Sequence, residues 1–78
     1  MVSHEFEQEF KMLGLKIAYY RKLKGYSQET LSEKLGYSNV SYIGNIEAPG
    51  VHKTITLTTL FKIAQALDIP PHKLIDFD

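Results

Sequence analysis

The stretch Ser27 to Glu47, SQETLSEKLGYSNVSYIGNIE, decides how the chain folds. Ser27 is a good N-cap, because its hydroxyl can accept a free backbone N–H of the first helical turn. Leu31 and Leu35 follow one helical turn apart. Gly36 then supplies a residue that can turn left-handed without steric cost, a common helix stop. Ser38 or Asn39 offers a second cap, and a second helix brings Ile43 and Ile46 onto one face before ending near Glu47. Neither helix is long enough to hold alone in water, so both must lean on the remaining residues.

Outward from this pair, the pattern stays helical. Phe6 and Phe10 are spaced i, i+4, and Leu13, Ile17 and Tyr20 continue the apolar repeat to Gly25, which closes a first helix starting near Phe6. After Glu47, Ala48-Pro49-Gly50 signals a turn and Val51 to Ile55 a loop. Thr56 is placed to cap a helix from Leu57 to Leu67, with Leu57, Leu60, Ile63, Ala64 and Leu67 inward. Ile69-Pro70-Pro71 interrupts it. Pro71 suits the first turn of a final helix to about Asp76, which would set Leu74 and Ile75 against the core. The expectation is an all-α, compact five-helix domain with no strand. Residues 1–9 form a partly frayed segment, residues 10–78 the domain, and a helix-turn-helix pair lies at about 27–47.

Composition narrows the function. Seventy-eight residues make one domain with a thin stability margin. The absence of cysteine removes disulfides and thiolate metal sites. No apolar run approaches the roughly 18 residues of a membrane span, and no signal-peptide pattern is present, so a soluble, cytoplasmic protein is expected. Net charge is zero, yet residues 11–24 hold five bases (Lys11, Lys16, Arg21, Lys22, Lys24) and no acid. Acids gather at Glu5, Glu7 and Glu9, and again at Asp68, Asp76 and Asp78. A neutral total can thus carry a basic face, although five bases on one helix are also compatible with a solvated surface. His4, His52 and His72 lie far apart without metal-ligand spacing, and no nucleophile elbow or phosphate loop occurs. No metal, cofactor, small-molecule ligand or enzymatic activity is expected.

Ser27-Gln28-Glu29, Leu31, Leu35-Gly36, Ser41-Tyr42-Ile43 and Ile46-Glu47, in this order and spacing, resemble the Cro and phage-repressor (lambda-repressor-like, XRE-type) helix-turn-helix regulators. The similarity takes in Gly14 to Ile17, Tyr20-Arg21, Leu57, Leu60 to Ala64 and Ala66-Leu67, and so covers about residues 13–75. It implies sequence-specific binding of double-stranded DNA by a small transcriptional regulator, as a homodimer on two half-sites, with the third helix in the major groove. A protein-interaction module, an antitoxin or a restriction–modification controller subunit on the same fold is the alternative.

The resemblance also implies roles. Asn39, Val40, Ser41 and Asn45 become base-reading candidates: asparagine pairs with adenine, serine donates or accepts, and valine meets a thymine methyl. Gln28 and Tyr42 would contact phosphate, with Lys53, Thr54 and Thr56 ahead of helix four. Lys16 and Lys24 could add flanking charge. Arg21 would pair with Glu47 and tie the first helix to the third. Gly44 would keep the groove side small. Leu74, Ile75 and Phe77 are the dimer-contact candidates, with closure of the monomer's own core the competing role for Leu74. Against the family pattern, the turn at Tyr37-Ser38-Asn39 is one residue longer and Ser32 replaces a preferred alanine. The loop after Glu47 is longer too, and the third helix carries no Arg or Lys.

Overall fold

The computed structural model describes residues 5–37, 41–48 and 54–77. Among these, the chain is all-α: α1 Glu7–Leu23, α2 Gln28–Lys34, α3 Ser41–Glu47, α4 Leu57–Leu67 and a closing 3-10 helix Pro71–Leu74. The expected fifth helix is therefore shorter and tighter than anticipated. Pro70 and Pro71 bring no N–H, and the turn closes through Lys73 N–H to the Pro70 carbonyl and Ile75 N–H to that of His72.

Local chemistry fixes the helix ends. Acidic Glu7 and Glu9 open α1 and basic Arg21 and Lys22 close it, each complementing the helix dipole. Gly25 adopts φ +79°, so Tyr26 N–H reaches back to the Arg21 carbonyl at 3.0 Å. Gly36, at φ +85°, repeats the device, with Tyr37 N–H on the Ser32 carbonyl. The Ser27 hydroxyl accepts from Thr30 N–H at the start of α2, and the Thr56 hydroxyl from Thr59 N–H at the start of α4. The α4 C-terminus uses the same left-handed reversal without a glycine, at Asp68, φ +59°.

One core gathers Leu13 and Ile17 from α1, Leu31 from α2, Leu35 just beyond it, Ile43 and Ile46 from α3, Leu60, Ile63, Ala64 and Leu67 from α4, and Leu74. Two inward assignments are overturned. Leu57 is 67% exposed, because Thr59 and Leu60 take the core side of the first α4 turn. Ile75 is 52% exposed, since the 3-10 helix ends at Leu74 and leaves it outside. Ser32 is 1% exposed, and its hydroxyl has no hydrogen-bond partner among the described residues.

Gly14 sets the distance between α1 and α3. A Cβ there would lie 2.4 Å from the Ile46 carbonyl oxygen, so backbone meets backbone. Glycine inside a helix costs about 1 kcal/mol of propensity, which this approach offsets by bringing the end of α3 onto α1.

Candidate nucleic-acid interface

α3 is only seven residues long and contributes two buried isoleucines. Apolar burial alone leaves so short a helix free to pivot; directional contacts remove that freedom. Arg21 on α1 donates from Nε to Glu47 Oε2 at 2.7 Å and from Nη2 to Glu47 Oε1 at 2.9 Å. Its Nη1 donates to the Tyr26 carbonyl at 2.8 Å. This two-pronged fork matches the carboxylate plane and is the strong form of the pair. Both residues are buried.

The hydrogen bond to Glu47 pushes the pKa of Arg21 upward, against the opposing effect of burial. A raised value in the folded state stabilises at every pH below it and is lost only as pH climbs through it. For a guanidinium that lies in strong alkali, so Arg21 itself gives no pH dependence in the ordinary working range.

Gln28 joins this pair. From the first turn of α2 it donates through Nε2 to Glu47 Oε1 at 2.9 Å. The carboxylate thus closes α1, α2 and α3 together. Gly44 belongs to the same arrangement: a Cβ there would lie 3.3 Å from Gln28 Oε1. Its small size makes room for the Gln28 carboxamide between α2 and α3.

The other anticipated residues are distributed as follows. Ser41 and Asn45, one turn apart on α3, are both exposed. Tyr42 is half-buried, its ring 4.7 Å from that of Tyr37 at a tilt of 54°. Thr54 and Thr56 are exposed, and the Thr56 hydroxyl is engaged in capping α4. Asn39, Val40 and Lys53 lie outside the described residues, as do the Ser38 cap and the Pro49-Gly50 turn. Leu74 is fully buried in the core of its own subunit and is unavailable for a dimer contact. Ile75 and Phe77 line an apolar depression of about 270 Å³ with Phe6, Phe10 and Leu13. Among the described residues no three His, Asp or Glu side chains cluster as metal ligands.

The sequence reading missed Gly14 and the Gln28–Glu47 bond. A glycine in an otherwise helical apolar pattern is a visible signal of close approach, so Gly14 could have been found. The Gln28 bond spans 19 positions and leaves no local trace.

Comparison with known proteins agrees with this geometry. The family model described as "Helix-turn-helix" matches residues 17–74. The HTH-type transcriptional regulator SinR of Bacillus subtilis is 38% identical over 65 residues, covering 83% of this chain and 57% of the regulator. SinR of Bacillus licheniformis is 37% identical over the same shares. The chain therefore spans little more than half the length of these curated relatives. Among solved structures, the restriction-modification controller protein C.AhdI from Aeromonas hydrophila superposes with a TM-score of 0.80 at 34% identity, covering 91% of this chain and 99% of that one. The hypothetical transcription factor NHTF from Neisseria gives 0.76 at 28% identity, covering 88% and 77%. A buried Arg21–Glu47 fork, an α2–α3 pair closed by Gly36 and matches of this extent lead to one conclusion: the chain belongs to the Cro and phage-repressor (XRE-type) helix-turn-helix family.

Proposed function

We propose that the domain reads double-stranded DNA as a small transcriptional regulator, with α3 in the major groove. The observation that carries this is the exposure of Ser41 and Asn45, one turn apart on a helix whose other side is held by Arg21, Gln28 and Gly14. Base edges demand that kind of preorganised side-chain pair. Asn39 and Val40, just ahead of Ser41 in sequence, extend the proposed reading set, and Tyr42, Lys53, Thr54 and Thr56 supply phosphate contacts. Gln28 braces α3 through one Nε2 hydrogen on Glu47, and its second Nε2 hydrogen is the donor for a phosphate.

A homodimer binds two half-sites about one helical turn apart. Ile75 and Phe77, with Phe6 and Phe10, are the candidate contact. A cytoplasmic location goes with this role, and the domain carries no catalytic activity. A controller-type regulator is the second reading, favoured because C.AhdI, a restriction-modification controller, is spanned over 99% of its length.

Selection of bound sequences from a random duplex pool, followed by titration at two salt concentrations, tests the proposal. An enriched motif with two-fold symmetry, and log affinity falling linearly with log salt, is the expected result. Binding indifferent to both sequence and salt overturns it.

A further inference from the structure

α1 is apolar on two faces. Leu13 and Ile17 enter the core, yet Leu15, Tyr19 and Leu23 repeat at i, i+4, i+8 on the opposite side, 52%, 58% and 67% exposed. They form one continuous seam rather than scattered surface residues. Met12, Leu15, Lys16, Tyr19 and Tyr20 line a shallow groove beside it. Helical geometry places Lys11 and Lys22 along one flank of the seam and Lys16 along the other. Past Glu9, α1 carries no acidic residue. The seam lies on the far side of α1 from Gly14, where α3 crosses, so it stays open while α3 is engaged.

We propose that the outer face of α1 docks an acidic amphipathic helix of a protein partner, its apolar residues packing on Leu15, Tyr19 and Leu23 and its carboxylates meeting Lys11, Lys16 and Lys22. Charge selects this occupant. A second copy pairing through the same seam sets lysine-bearing flanks against each other, and like charges there repel. A DNA backbone meets the lysines but leaves three large apolar side chains in water. An acidic helix satisfies both parts, in the helix-on-helix mode of peptide recognition.

The test is an NMR titration of the full chain with two synthetic helical peptides. Both carry leucine at i, i+4 and i+8; one has glutamate on the flanks, the other lysine. The expected result is binding of the glutamate peptide alone, with amide shifts concentrated at residues 11–23. Leu15→Gln with Leu23→Gln, which keeps helix formers at exposed positions, weakens it about tenfold or more. Lys11→Gln with Lys22→Gln weakens it too and reduces its salt dependence, Lys16 remaining, without touching the apolar seam. The proposal falls if neither peptide binds at millimolar concentration, if both bind equally, or if the shifts lie elsewhere. It also falls if sedimentation shows that the leucine variant loses self-association, which gives the face to a second copy. Partitioning of the wild-type chain, but not this variant, onto phosphatidylglycerol-containing vesicles gives it to a lipid surface and equally overturns the proposal.

Discussion

α3 and α4 are held to the same core by different means. α4 contributes Leu60, Ile63, Ala64 and Leu67, a buried apolar stripe at helical spacing. α3 contributes Ile43 and Ile46, a buried carboxylate and a backbone laid on Gly14. Apolar burial is non-directional and sets whether a helix stays; a hydrogen-bonded fork and a backbone contact set the angle at which it stays. α4 is held by the first kind of interaction and α3 adds the second.

Breaking the fork is the strongest way to test that contrast. Glu47→Ala leaves the Arg21 guanidinium buried without its carboxylate and is expected to cost about 3–5 kcal/mol in denaturant unfolding. Replacing Arg21 and Glu47 together by leucine sharpens the point. Stability should return to within about 1 kcal/mol of wild type, while base preference in a duplex selection stays degraded because the angle is no longer fixed. Recovery of both would mean that apolar packing suffices to aim α3.

In α4, Ile63→Ala should cost about 2–4 kcal/mol by cavity formation and leave base preference unchanged at a temperature where the variant is folded. A changed preference would erase the distinction between the two helices. Gly14→Ala comes next, at about 1–3 kcal/mol, since α3 must retreat from α1 to admit the methyl group; chemical shifts at Ile46 and Glu47 should move most. Smallest and opposite in sign, Ser32→Ala removes a buried hydroxyl without a partner and should raise the unfolding free energy by about 1 kcal/mol.

Much of the frame was legible in the sequence because it is local. Ser27 and Thr56 are caps that act over three residues, Gly25 and Gly36 are stops, and Ile17, Leu31, Ile43 and Ile63 keep helical spacing. Where the reading failed, the reason is equally physical. Leu57 fits the apolar period of α4, but period does not say which turn of a helix overhangs the core. Ile75 fits the inward period of a regular α-helix, but the closing turn is a 3-10 helix that ends at Leu74 and leaves it outside. Three of the residues proposed to touch DNA, Asn39, Val40 and Lys53, lie outside the described residues. Gln28 could be read as a polar residue at a helix start, but its partner, far along the chain, appears only once α2 and α3 are brought together.

Glu47 accepts hydrogen bonds from α1 and α2 while closing α3 itself. Three helices meet on one side chain at the far end of α3, away from the exposed position Asn45. The mounting of α3 thus sits at its C-terminal end, on Glu47 and on the approach to Gly14. Under the proposed reading, a substitution at Asn45 changes base preference on an unchanged mounting, new lettering on the same plate.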